Sequence, residues 1–242
     1  MSKGPLKENQ ARKWFRQLTL AVQYLHTLDI VHRDIKCENI VITKHFTVKL
    51  TDFGFSKFIN KSKRLNCNTY CCSMPYAAPE VLSKHPYDGK SSDIWSLGVV
   101  LYVMLNKKMP FNNKNIKSMH KQQVHQFIHF ILINCFFKLQ TLKVKRNWSY
   151  QPSVEKLISE NVKICIANLL QPEPRKRWTL NNILESDWIK MNIKLIKMNE
   201  QESFALQEGI KKKKIIYPKH LQKIEANRSD TQQILNRQPL RF

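Results

Sequence analysis

Between Ile94 and Leu105 apolar side chains fall on nearly every side of a helical wheel, which confines the segment to the centre of a fold. Asp93 opens this helix by our reading, and the remaining elements must wrap around it. Glu8 to Leu28 supplies an amphipathic helix, with Phe15, Leu18, Val22 and Leu25 as a buried stripe between Arg12, Lys13, Arg16 and Gln17. Helical patterns return at Val154 to Leu170 and at Leu180 to Ile189. Two short strands, Ile40-Val41-Ile42 and Val48-Lys49-Leu50, flank a polar turn at Lys44 and His45. From Thr51 to Pro79 turn formers dominate without a sustained period. The expected fold is mainly α with one or two short β-hairpins. It spans residues 1–191, followed by a basic tail, 192–242, that is partly helical and partly disordered. No internal repeat is present.

The charge is extreme, with 41 Lys+Arg against 18 Asp+Glu and a formal net charge of +23. A nucleic-acid partner would favour such a balance. Here, however, the cations are spread along the chain, and Lys211 to Lys214 is the one real run. A solvated tail and a Lys/Asn/Ile/Phe-rich composition account for the charge better than a nucleic-acid site or an acidic partner. Six cysteines (Cys37, Cys67, Cys71, Cys72, Cys135 and Cys165) lack paired C-x₂-C spacing, so free thiols are expected. The amino terminus is polar, unlike a signal peptide. Val124 to Lys143 is the nearest approach to a membrane span, but His125, Gln126, His129, Asn134 and Lys138 break it. A cytoplasmic protein is expected, with the nucleus as the other compartment open to it.

Phosphoryl transfer from ATP needs magnesium on the phosphates, a carboxylate to orient the attacking hydroxyl, and positive charge at the transferring group. His32-Arg33-Asp34-Ile35-Lys36-Cys37-Glu38-Asn39 holds side chains of all these kinds. Thirteen residues after Asn39 comes Asp52-Phe53-Gly54, at the end of the second short strand. Ala78-Pro79-Glu80, Asp93-Ile94-Trp95-Ser96-Leu97-Gly98 and Arg177 follow.

This series resembles the catalytic loop, metal-binding loop, activation segment and central helix of the eukaryotic protein kinases, in family order. The resemblance implies the C-terminal lobe of that fold, with protein serine or threonine hydroxyls as acceptors. It implies that Asp34 is the base, and that Lys36 neutralises the transferring phosphate. Asn39 and Asp52 would hold Mg2+, and Val41 would lie against the adenine of ATP. Arg33 would meet a phosphate on the activation segment. Thr69 is the leading candidate to carry it, with Thr51, Ser62 and Tyr70 as nearby hydroxyls. Ser73 would help recognise the acceptor. His32, Phe53, Gly54, Glu80, Asp93 and Arg177 would be structural supports, with Glu80 and Arg177 a buried ion pair and Asp93 an anchor for the catalytic loop. His45, His85 and His220 read as ordinary surface residues.

Finer matches point to the testis-specific serine/threonine kinases of the calcium/calmodulin-dependent kinase group. They include Asp52-Phe53-Gly54-Phe55-Ser56-Lys57, Tyr76 to Leu82, Trp95 to Met104, Met109-Pro110-Phe111 and Asn115-Ile116-Lys117. Cys72 departs from the family, which usually has glycine there. A kinase also needs a Gly-rich loop, a strand lysine and a helix glutamate upstream of the catalytic loop. The chain's five glycines (Gly4, Gly54, Gly89, Gly98 and Gly209) spell no G-x-G-x-x-G, and the first helix fills most of the 31 residues before His32. The N-terminal lobe is therefore expected to be absent and the chain inactive by itself, with ATP bound only if that lobe is supplied. Two classes remain open: a piece of a complete kinase, and a lobe-only pseudokinase that acts as a protein-binding module. Family members have a short polar linker where residues 124–143 stand. Valine codons begin with GT and one lysine codon ends in AG, so this apolar insert reads as a retained intron. A genuine buried helix or partner-binding loop is the alternative.

Overall fold

The sequence folds around one buried helix, as its all-round apolar pattern demands. The computed structural model describes residues 4–59, 67–69, 72–83, 85–111, 117–124 and 148–191. That helix, α3, runs Gly89–Asn106, and all of its residues except Lys90, Val103 and Met104 are buried. It starts a turn earlier than the sequence reading, because Asp88 is its N-cap and accepts from Lys90 N. Asp93 thus lies inside the helix rather than at its start, and its carboxylate is buried. Lys107 closes the other end in a left-handed conformation (φ 55°), its N–H returned to Val103 O.

Among the described residues, two helices make the broadest packing on α3. The first is α1, Glu8–Thr27, whose stripe of Ala11, Phe15, Leu18, Val22 and Leu25 is buried as its spacing predicts. The second is α6, Glu160–Leu169, which approaches closely enough that Gly98 is required. A β-carbon on Gly98 would stand 2.7 Å from Leu169 Cβ and 3.0 Å from Leu170 Cδ2. Short helices complete the assembly: α2 (Pro79–Leu82), α4 (117–124), α5 (Pro152–Glu155), α7 (Leu180–Glu185) and α8 (Asp187–Lys190). The expected helix 154–170 is therefore broken between α5 and α6, where the Ser159 side chain caps α6 by accepting from Val162 N. Likewise 180–189 is split at Ser186, which caps α8. Serine side chains of this kind satisfy orphan N–H groups and restart a helix in a new direction.

β2 (Ile40–Ile42) and β3 (Val48–Leu50) form the expected antiparallel hairpin, with Val41 opposite Lys49. A second pairing was not expected as such: β1 (Ile30–Val31) joins β4 (Lys57–Phe58) across a long connection, so it is not a hairpin. The two pairings bracket the segment 32–39 and bring it beside 51–56. Cys37, Cys67, Cys72 and Cys165 are free thiols, and Cys72 packs against the core. No helix among the described residues is long and apolar enough to cross a membrane. Most of the 124–143 insert, the tail 192–242, Ser62, Tyr70, Cys71, Cys135 and His220 lie outside the described residues.

The first turn of α1 is tied to the carboxyl-terminal helices through one carboxylate. Glu8 accepts from Ser159 N (2.6 Å), Ser159 Oγ (2.7 Å), Trp188 Nε1 (2.9 Å) and Arg12 Nη2 (2.8 Å). Arg12 in turn lies over the Trp188 ring, 5.6 Å from its centroid. Burial alone would push the Glu8 pKa up, but the Ser159 and Trp188 donors and the Arg12 charge bring it below the ordinary value.

Two outcomes follow from this packing. Gly98→Ala forces α3 and α6 apart and should cost about 1–3 kcal/mol, read from urea unfolding. The folded pKa of Glu8 lies below the unfolded one, so its stabilisation is full above about pH 4.3 and fades as pH falls through the folded value. Unfolding midpoints measured from pH 7 to pH 3 should therefore fall less steeply in Glu8→Gln than in the wild type.

Candidate active site

The loop between β1 and β2 is held from beneath by α3. Asp93 Oδ2 accepts from His32 N at 2.9 Å and Oδ1 accepts from Arg33 N at 2.8 Å. His26 Nε2, in the last turn of α1, lies 2.8 Å from the same Oδ2 and donates to it, since a carboxylate only accepts. Arg33 sits in the left-handed region (φ 66°), and the Asp93 contact holds its amide in that conformation.

His32 is fully buried and joins this loop to the next. Its Nδ1 accepts from Asp34 N (3.3 Å), which leaves Nε2–H to donate to Thr51 O (3.2 Å). The neutral tautomer with the proton on Nε2 satisfies both bonds. Its ring also contacts Phe53, centroid to centroid 5.1 Å. Thr51 N and Oγ1 both donate to Asn39 O, at 2.9 and 3.0 Å. Residues 51–54 are thereby fixed beside residue 39. Asp52 follows in a left-handed conformation (φ 63°), exposed, with Oδ1 accepting from Gly54 N at 3.2 Å.

Asp34 is 3% exposed and has a donor on each carboxylate oxygen. Lys36 Nζ (2.7 Å) and Asn39 Nδ2 (3.1 Å) reach Oδ2, and Ser73 N (3.0 Å) reaches Oδ1. Lys36 Nζ also donates to Ser73 Oγ at 2.8 Å, which closes a triangle of Asp34, Lys36 and Ser73. Burial would raise the Asp34 pKa, but the Lys36 and Ser73 donors bring it below the ordinary value. The Lys36 ammonium is pushed up, chiefly by its hydrogen bond to Asp34, with Glu38 and Asp52 adding to the effect. Asn39 Nδ2 also donates to Asp34 O (3.0 Å), so the amide oxygen is the end left for another ligand. Asn39 and Asp52 thus offer an amide oxygen and a carboxylate, the donor set a hard cation such as Mg2+ takes.

Around this centre the other sequence candidates fall into place unevenly. Arg33 Nε donates to Phe55 O (2.6 Å), and its Nη1 donates to the Thr69 hydroxyl. Glu80 and Arg177 form a two-pronged pair at 2.7 and 3.0 Å, and the guanidinium lies 5.1 Å over the Trp95 ring. Val41 is 48% exposed on the hairpin and Phe53 50% exposed, so among the described residues neither is enclosed. The Thr51 hydroxyl donates to Asn39 O, whereas that of Thr69 accepts from Arg33. His45 and His85 are exposed. His26 was not among the sequence candidates. Its signal was its place on the buried stripe, four residues beyond Val22, where a polar side chain needs a buried partner.

Comparison with known proteins identifies the family. The protein kinase domain family matches residues 1–189. Testis-specific serine/threonine-protein kinase 1 of Mus musculus is 39% identical over 192 residues, covering 78% of this chain and 47% of the relative. Testis-specific serine/threonine-protein kinase 2 of Mus musculus is 40% identical over 191 residues, with 78% and 47% covered. Protein kinase kin1 of Schizosaccharomyces pombe is 37% identical over 192 residues, 79% of this chain and 19% of the relative. The chain thus spans about half the length of the testis-specific relatives it matches. With a family match over most of its length and the family's motifs assembled around Asp34, the chain belongs to the protein kinase family.

Proposed function

We propose that the protein transfers phosphate from Mg-ATP to serine or threonine hydroxyls of protein substrates, with residues 1–191 as the catalytic-loop-bearing lobe and 192–242 as a separate basic tail. The observation that carries this reading is the Asp34 carboxylate, ionised and fixed by Lys36, Asn39 and Ser73 beside the exposed Asp52. In this reading Asp34 orients the acceptor hydroxyl and takes its proton. Lys36 neutralises charge on the group being transferred, and Ser73 helps seat the acceptor. Asn39 and Asp52 would hold Mg2+, which supplies positive charge on the phosphate oxygens. Val41 offers an exposed apolar surface to the adenine. Thr69 and Arg33 form a regulatory pair, since a phosphate on Thr69 would meet the guanidinium.

The 242 residues hold no G-x-G-x-x-G sequence, so the other wall of an ATP cleft would have to come from an N-terminal lobe. The exposed Val41, Ile42, Phe53, Phe55 and Phe58 are surfaces such a lobe would cover.

Radiolabelled ATP and a serine/threonine peptide library test both parts. The 242-residue chain should show no turnover. Joined to a complete N-terminal lobe it should phosphorylate peptides, and Asp34→Asn should lower that rate by about 10²–10⁴. Robust Asp34-dependent turnover by the chain alone would overturn the lobe assignment. A completed domain without Asp34-dependent turnover would overturn the kinase reading, and partner capture by it would then favour the binding-module alternative. The pH profile is a further check. The Asp34 pKa is lowered, so its base form persists below about pH 4, and the raised Lys36 pKa keeps that side chain charged past about pH 10. Neither group should add an ionisation to kcat/KM between about pH 5 and pH 10.

A further inference from the structure

Five non-glycine residues among those described hold left-handed backbone, and for four of them the chain itself supplies a tie. Asp29 meets Lys90 at 3.3 Å, Arg33 N is held by Asp93, the Asp52 carboxylate accepts from Gly54 N, and Lys107 closes α3. Phe46 (φ 59°) is the other. It ends the turn of the β2–β3 hairpin, where Phe46 N donates to Thr43 O and Thr43 N to Thr47 O, both at 2.9 Å. A hairpin turn that ends in a left-handed residue ordinarily has glycine there. A bulky side chain in that conformation is strained. Burial does not offset the strain, because Phe46 is 69% exposed.

The charges around this side chain are of one sign. Lys44 and His45 precede it in the turn, both exposed, and the hairpin segment 40–50 contains no Asp or Glu. Gln17 Oε1 accepts from Val48 N at 2.7 Å, so the face of α1 that bears Gln17 adjoins the hairpin. Lys13 and Arg16 share that face by helical spacing. Glu8 is the one acid of α1, and it is engaged by Ser159, Trp188 and Arg12. No carboxylate among the described residues pairs with Lys13, Arg16 or Lys44. In the hairpin register Ile40 pairs with Leu50 beside the catalytic loop, while Ile42 and Val48 flank the turn. Phe46 therefore stands at the end of the hairpin away from Asp34.

We propose that this turn, Lys44-His45-Phe46 with Lys13 and Arg16 behind it, is a docking surface for an anionic lipid bilayer. Phe46 enters the boundary between head groups and acyl chains, and the cations meet the lipid phosphates and carboxylates. A projecting turn with one apolar ring among cations matches a plane of negative charge laid over hydrocarbon. An acidic peptide calls for a groove to lie in, and a single-stranded nucleic acid for successive stacking rings. The turn offers one ring and three consecutive exposed residues. The contact is peripheral and needs no spanning helix. It is also independent of the reading of Asp34 as a base, since none of these residues belongs to the catalytic loop.

Co-sedimentation of the 242-residue chain with vesicles tests this, using phosphatidylcholine alone and phosphatidylcholine with about one-third phosphatidylserine. Binding should require the acidic lipid. Phe46→Gly should weaken it at least about fivefold through lost apolar burial, and Lys44→Gln should weaken it about fivefold through lost charge. Phe46→Gly should at the same time keep or raise the urea unfolding midpoint, because glycine suits the turn. Depth separates docking at the turn from adsorption through Lys211 to Lys214. With Phe46→Trp, lipids brominated on their acyl chains should quench fluorescence beyond the wild-type level. Acidic-vesicle binding that Phe46→Gly leaves unchanged, or no added quenching in Phe46→Trp, overturns the proposal. So does Phe46-dependent binding of polyuridylate or polyglutamate with vesicles left unbound, which would assign the surface to a nucleic acid or an acidic protein. A Phe46→Gly midpoint well below that of the wild type would contradict the strain argument and the proposal with it.

Discussion

A carboxylate buried inside an apolar helix must be paired, and the pairing of Asp93 organises everything above it. α3 is central because its apolar surface is nearly continuous, so an ionised group on it has no water to turn to. Asp93 takes two backbone amides from the loop 32–39 and the imidazole of His26 from α1. Hydrogen bonds to a charged group contribute about 1.5–3 kcal/mol each, and removing one partner of a buried charge costs more than that. The loop is therefore tied to the buried helix α3. Asp34 inherits its position from residues whose amides are already fixed.

From that anchor the reactive groups are arranged by a short chain of hydrogen bonds rather than by packing. His32 links the Asp34 amide to Thr51 O, and Thr51 links back to Asn39 O, so the two loops that bear Asp34 and Asp52 are tied to each other. Arg33 and Asp52 both occupy left-handed backbone conformations that cost about 1–3 kcal/mol in a non-glycine residue. Asp93 offsets this at Arg33 directly, and the bond to Gly54 N accompanies it at Asp52. Farther out, the Glu80–Arg177 pair joins the end of the segment that carries Ser73 to the region after α6. The guanidinium of that pair is also held by Ser91 O and Gln171 O.

Much of this was legible in the sequence because periodicity and motif order report different things. The stripe on α1 and the all-round pattern of α3 depend on burial, which side-chain type records directly. The His32 to Asn39 and Asp52 to Gly54 runs depend on chemistry, which fixes residue identity at fixed spacing. What the sequence concealed were features set by single side chains or by distant pairing. Ser159 and Ser186 break helices that hydropathy alone would continue, because a capping hydroxyl leaves the apolar count unchanged. β1 and β4 are two residues each and meet only in three dimensions, so no local alternation announces them. Asp93 looked like a helix start because Asp is common there, while the actual cap is Asp88. His26 was passed over because its partner, Asp93, lies 67 positions away.

The account turns on Asp93 holding the loop, and amide hydrogen exchange in Asp93→Asn tests that most directly. The substituted amide turns an acceptor into a donor facing His32 N or Arg33 N. The account predicts that these two amides lose protection by about 10- to 100-fold while α6 amides keep theirs. Unchanged protection at His32 and Arg33 in the variant would contradict it.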